Sequence, residues 1–129
     1  MAVQRQTGAQ TDAKASAVDL TGKEFFLAKR TGGGTLEHAA RYTLAGLGEK
    51  VAGVISEGKA VGLHTSVNTG NQLKAVAGAT IAVGDELSSD ANGKVRVAAS
   101  THYVFGTAIN AAVSGEMVEF DFVQEGVKA

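Results

Sequence analysis

The side chains that could do chemistry in this 129-residue sequence are three histidines, two groups of carboxylates, a glycine run and scattered serines. His38, His64 and His102 are far apart, and none has a partner at the His-x-x-x-His spacing with which one helix face holds a metal ion. They read as surface or structural residues. Thr31-Gly32-Gly33-Gly34 has the flexibility of a phosphate cradle but lacks the Gly-Lys-Ser/Thr ending and the helix start that would aim backbone N–H groups at a phosphate, so it reads as a turn. Asp85 and Glu86 are adjacent, and adjacent residues of a strand point to opposite faces, which rules against an acid/base pair. Glu119 and Asp121, beside Glu116, do share a face. They form a solvated or subunit-facing stripe, with a cation or catalytic site as the alternative reading. No Gly-x-Ser-x-Gly offers a hydrolase nucleophile, and the absence of cysteine removes disulfides, thiolate ligands and a thiol nucleophile. The expectation is no catalytic residue, no cofactor site and no metal site.

The elements that must position these residues are strands. In residues 73–97 apolar side chains recur at every second position, in Leu73-Ala75-Ala77 and in Ile81-Val83, which is the period of a half-buried strand. Gly78, Gly84-Asp85 and residues 91–94 mark reversals between them. Asn92-Gly93 predicts a two-residue hairpin turn that folds residues 86–88 onto 95–97.

The same rhythm covers most of the chain. Strands are predicted over 24–29, 51–56, 60–64, 103–108 and 117–123, with Val118, Phe120 and Phe122 on the core face of the last. Gly53, Gly62 and Gly106 fall inside strand patterns, where glycine marks a bulge or a close backbone approach. Residues 36–47 fit two periods. Leu36, Ala39, Ala40, Leu44 and Leu47 share a helical face, while Ala40, Tyr42 and Leu44 alternate, and the reading adopted is one short helix or turn. Residues 1–19 hold too few bulky apolar side chains to offset their ordering entropy, and are predicted to be an extended arm preceding one compact domain over 20–129. Such an arm is either a frayed terminus or a segment ordered by a partner, with Val3, Arg5, Gln6 and Val18 as its contacts. The fold class is all-β: a small antiparallel β-barrel or β-sandwich of the β-tulip kind.

Bulk properties narrow the partners. A net charge of −1 argues against nucleic acid and anionic membranes. No apolar run reaches the roughly 18 residues of a membrane span, and residues 1–20 lack a signal-peptide core, so a soluble protein is expected. Proline is absent, which removes one means of blunting exposed strand edges and leaves oligomerisation as another.

The order of turns is similar to that of a known family. Gly58-Lys59-Ala60-Val61-Gly62, then Ala77-Gly78-Ala79-Thr80-Ile81-Ala82-Val83-Gly84-Asp85-Glu86-Leu87, then Ser89-Asp90-Ala91-Asn92-Gly93-Lys94-Val95 carry the likeness. It continues through Phe105-Gly106-Thr107-Ala108 and Ser114-Gly115-Glu116-Met117-Val118-Glu119-Phe120. Over about residues 50–123, with weaker support from 20–49, the sequence resembles the capsid cement, or head decoration, proteins of tailed phages. The resemblance implies a virion protein made in the host cytoplasm that sits on the outer surface of the icosahedral head. It also implies a homotrimer at local three-fold positions that ties together neighbouring major capsid protein subunits, without catalytic residues or cofactors.

Three other readings compete. One is another phage structural role, in the tail or in head completion. Another is a biotinyl- or lipoyl-like carrier domain, which needs a modifiable lysine at a hairpin tip, whereas Lys74 falls within a strand. The last is a small enzyme acting through Glu119 or Asp121.

Overall fold

A computed structural model describes residues 10–32 and 41–129. Ten strands follow one another: β1 (Gln10–Ala15), β2 (Leu27–Thr31), β3 (Arg41–Leu44), β4 (Gly53–Glu57), β5 (His64–Thr69), β6 (Gln72–Val76), β7 (Glu86–Ser89), β8 (Val95–Val97), β9 (Tyr103–Ala108) and β10 (Met117–Val127). They form two antiparallel five-stranded sheets, in the orders β1-β5-β4-β2-β3 and β6-β10-β9-β7-β8. The architecture is the expected all-β one, a small sandwich. Each sheet also curls until its edges meet at a single bridge, Ser16 with Tyr42 in the first and Ala77 with Val95 in the second. Edge backbone groups that would otherwise be open are thereby partly paired.

Strand alternation sorts the core into two clusters. Leu27 and Val54 point into the larger, which joins both sheets and contains Leu73, Ile81, Leu87, Val95, Phe105, Val118 and Phe120. Their chain neighbours Ala28 and Ile55 point the other way, into a smaller cluster with Leu20, Tyr42 and Val67. In the larger cluster the Phe105 and Phe120 rings meet edge to face, with centroids 5.1 Å apart, a geometry the ring quadrupoles favour. Phe122 packs against the rim of this cluster, so the predicted Val118, Phe120 and Phe122 face is observed.

Glycine takes the place of a side chain where strands press together. A Cβ on Gly53 would collide with the Asn68 carbonyl of β5, and one on Gly106 with the Asp121 carbonyl of β10. Gly62, read from sequence as a strand residue, lies instead in the turn before β5 at φ 85°.

Several expectations are revised. The short helix over 36–47 is not formed by its described part: Arg41–Leu44 is β3, paired with β2 from Ala28↔Leu44 to Thr31↔Arg41. The four-residue segment fits both periods, and the neighbouring strand decides between them. Residues 10–15, assigned by composition to the arm, form β1 and pair with β5 over six residues, from Gln10↔Thr69 to Ala15↔His64. A polar segment gains order there from backbone hydrogen bonds, for which apolar content is no guide. β2 begins at Leu27 because Phe25 takes a left-handed conformation, φ 68°. β5 begins at His64, so residues 60–63 form a turn instead of a strand.

The hairpin of β7 and β8 pairs as expected, Leu87↔Val97 through Ser89↔Val95. Its loop differs. Asp90 N–H donates to the Lys94 carbonyl at 2.8 Å, and Asp90 Oδ1 accepts from the N–H groups of Asn92 and Lys94 at 2.8 and 2.9 Å. A three-residue loop with Gly93 alone at positive φ replaces the two-residue turn, because the Asp90 side chain supplies the bonds that close it.

Candidate functional site

Two of the candidate carboxylates, Asp85 and Glu116, are engaged by the backbone of turns, as is Glu49. Residues 46–49, 82–85 and 113–116 share one construction. The first carbonyl accepts from the fourth N–H at 3.2, 3.2 and 3.0 Å, and the third residue is a glycine at φ 66°, 89° and 92°. In each, the fourth residue is an acid whose side chain accepts from the first N–H: Glu49 from Gly46 at 2.6 Å, Asp85 from Ala82 at 2.8 Å, Glu116 from Val113 at 2.9 Å. These are type II turns, in which only glycine takes the positive φ without strain, closed by a charge-assisted hydrogen bond.

Residues 99–102 repeat the pattern with other side chains. His102 N–H donates to the Ala99 carbonyl at 3.0 Å, Ala99 N–H donates to His102 Nδ1 at 3.2 Å, and Thr101 holds the left-handed position at φ 73°. Because Nδ1 accepts that bond, the neutral imidazole carries its proton on Nε2. His102 thus has the structural role expected of it, and Ser88 Oγ lies 3.1 Å from the same nitrogen. His64 is exposed in β5, and His38 lies outside the described residues. Among the described residues no group of three or more His, Asp or Glu side chains could hold a metal ion.

The Glu119 and Asp121 stripe sits on β10 opposite Lys74 and Gln72 of β6. Asn110 Oδ1 accepts from the Glu119 N–H at 2.6 Å, and Gln72 Nε2 donates to Asp121 at 3.4 Å. Lys74 is the central residue of its strand.

Of the four residues expected to contact a partner, Val3, Arg5 and Gln6 lie outside the described residues. Val18 is exposed to 44%. Ser16 N–H donates to the Leu63 carbonyl, Gly62 N–H to the Ser16 carbonyl and Leu20 N–H to the Lys59 carbonyl, which lays residues 16–20 along 59–63. Val61 and Leu63, 60% and 58% exposed, therefore share this end of the first sheet with Val18. Sequence reasoning missed both by counting them as strand residues. The usable signal was Val61-Gly62, an aliphatic residue followed by the glycine of a tight turn.

The closure of the first sheet has its own polar latch. Tyr42, whose ring is buried, donates its hydroxyl to Asp12 Oδ2 at 2.6 Å, and Ala17 N–H donates to the Tyr42 carbonyl at 2.8 Å. The Tyr42 bond, with Lys14 beside it, holds the Asp12 carboxyl below its usual value. Burial, and secondarily the Asp12 carboxylate, pushes the Tyr42 hydroxyl up to about 12.

A groove of about 510 Å³ opens between β2, residues 49–52 and the outer half of β10. Lys29 and Glu49 pair across it at 2.7 Å, Arg30 and Lys50 add positive charge, and Gln124 closes it by donating to the Val51 carbonyl at 2.7 Å. Gln124 reaches that carbonyl from a bulge in β10 between Phe122 and Gly126. The bond from Lys29, more than that from Gly46 N–H, holds the Glu49 carboxyl below its usual value.

Most of the chain is similar to a phage protein of known structure. That structure is the head fiber gp8.5 N base of bacteriophage phi29, matched with a TM-score of 0.74 and 19% identity over 94% of this chain and 99% of the other. No family model and no curated protein matches the sequence. At that identity the likeness establishes a shared fold.

Proposed function

We propose that the protein is a structural component of a tailed-phage virion, seated on the outer surface of the head and bound to neighbouring major capsid protein subunits. The observation that carries the reading is the fold likeness to the head fiber base of phi29, which extends over nearly the full length of both chains. Its fit with the sequence resemblance to head decoration proteins adds to it. The chemistry is compatible, since Glu49, Asp85, Glu116 and His102 each close a turn. In this reading trimers occupy the local three-fold positions and bind the expanded shell, stabilising it by mass action without a chemical step. The end of the first sheet carrying Val18, Val61 and Leu63, together with Val3, Arg5 and Gln6, supplies the capsid contact. Desolvating such exposed aliphatic side chains gives association its driving force.

Quantitative mass spectrometry of purified virions tests the reading. Trimers at every local three-fold site require about one copy per major capsid protein subunit. The nature of the phi29 neighbour favours a second reading, in which the chain is the base of a head appendage, and this predicts far fewer copies per particle. Absence from virions would overturn both. Removal of residues 1–9, which leaves β1 in place, should weaken capsid binding while the sheets stay folded.

A further inference from the structure

We infer that the groove beside β2 is a docking site for an extended acidic polypeptide segment, which adds to the first sheet as a strand along Arg30. Two independent features point there, and neither depends on the head-surface reading.

The first is an open ladder. β2 pairs with β4 only at Leu27↔Val54 and Ala28↔Gly53, and among the described residues the last bond on that side runs from Ala52 N–H to the Ala28 carbonyl at 2.7 Å. On its other side β2 continues to pair with β3 as far as Thr31. Backbone groups alternate in direction along a strand, so the residue two beyond Ala28, Arg30, aims its N–H and C=O at the side β4 has left. That side is the groove. Among the described residues no backbone partner takes up the Arg30 groups on that side, and an open ladder position beside a preformed cleft is what strand addition of a peptide requires.

The second is charge. Lys29, Arg30 and Lys50 line the groove against one carboxylate, Glu49. Both Glu49 oxygens contact Lys29 Nζ at 2.7 Å, and one also accepts from Gly46 N–H, so this acid is already matched. Among the described residues neither Arg30 nor Lys50 joins an ion pair; the Arg30 side chain reaches the Tyr42 hydroxyl, and Lys50 Nζ lies 5.7 Å from the centre of the Tyr103 ring. On a chain of net charge −1 this cleft concentrates positive charge. An added strand would run past Arg30 and Lys50, where carboxylates are favoured.

The test uses the full-length protein and a fluorescein-labelled Glu-Val-Glu-Val-Glu-Val peptide, followed by fluorescence anisotropy and by amide shifts in ¹⁵N spectra. Saturable binding is expected, with shifts at Arg30, Lys50, Ala52 and Gln124. Affinity should fall with salt as the Debye length shortens, and by about tenfold or more in the R30E/K50E double variant. If that variant unfolds, K50Q replaces it with an expected loss of about threefold. The same peptide with N-methylated backbone should bind more weakly, and equal binding would overturn strand addition. No saturation, binding unchanged in a folded R30E/K50E protein, or tighter binding of a Lys-Val repeat peptide would overturn the docking site. Tighter binding of single-stranded oligothymidine would replace the acidic segment by a phosphate ligand.

Discussion

Replacing Tyr42 by Phe should loosen the closure of the first sheet without disturbing its core. The ring is buried in the smaller cluster with Leu20, Ala28, Ile55 and Val67, and Phe fills the same space. The 2.6 Å bond to Asp12 is lost, together with the contact that the Arg30 side chain makes with the hydroxyl. A hydrogen bond to a charged group contributes about 1.5–3 kcal/mol to stability. The Asp12 side chain is 45% exposed and retains Lys14 at 3.3 Å, so it rehydrates readily when the hydroxyl is gone. The loss should therefore lie at or just below the lower end, about 1–1.5 kcal/mol. Its pH dependence follows from the direction of each shift. The Asp12 pKa is lowered from 3.8, so its contribution is full above that value and is lost as pH falls through the folded-state value. The Tyr42 pKa is raised from 10.0 to about 12, so its contribution is full below 10.0 and is lost as pH rises through about 12. Urea unfolding of wild type and Tyr42→Phe should show the full gap at about pH 7 and a gap that shrinks as pH falls below about 4. Amide exchange should accelerate in β1 more than in β9 or β10. Equal stability at about pH 7 would refute the latch.

Other substitutions probe the remaining features. Gly106→Ala puts a methyl group against the Asp121 carbonyl where β9 and β10 press together, and should cost about 2 kcal/mol or more in urea unfolding. Thr101→Gly should raise stability by about 0.5–1 kcal/mol, because relief of about 1–2 kcal/mol of left-handed strain outweighs the added entropy of the unfolded chain, and Thr101 is exposed. Asp85→Ala removes the side chain that closes the 82–85 turn and should cost about 1 kcal/mol, with amide exchange accelerating first at Ala82. Val61→Asp with Leu63→Asp should leave thermal unfolding nearly unchanged, both side chains being exposed, and under the proposed head-surface role should abolish co-sedimentation with phage capsids.

The sequence by itself determined the elements whose signals are local. Val118, Phe120 and Phe122 alternate over enough residues to set the face of β10, and Tyr103–Ala108 was legible as a strand from its run of aromatic and β-branched residues. The hairpin of β7 and β8 was legible because Asp90, Asn92 and Gly93 are turn residues whatever surrounds them. The four-residue turns closed by Glu49, Asp85 and Glu116 were also readable in principle. Their signal is a glycine followed by an acid, where each glycine–acid pair closes on a backbone group three residues before the acid.

Only tertiary structure decided the rest. β1 owes its order to β5, whose residues lie about fifty positions further along the chain, and no local pattern carries that pairing. Tyr42 and Leu44 became strand residues because β2 offered a ladder, although a helical period described them equally well. The alignment of Val18 with Val61 and Leu63 depends on hydrogen bonds between distant segments. The groove depends likewise on where the β2–β4 ladder ends and on a bulge that carries Gln124 across to Val51. Periodicity and turn chemistry are properties of neighbouring residues, whereas pairing partners, sheet closure and clefts are properties of contacts that the chain makes only once it has collapsed.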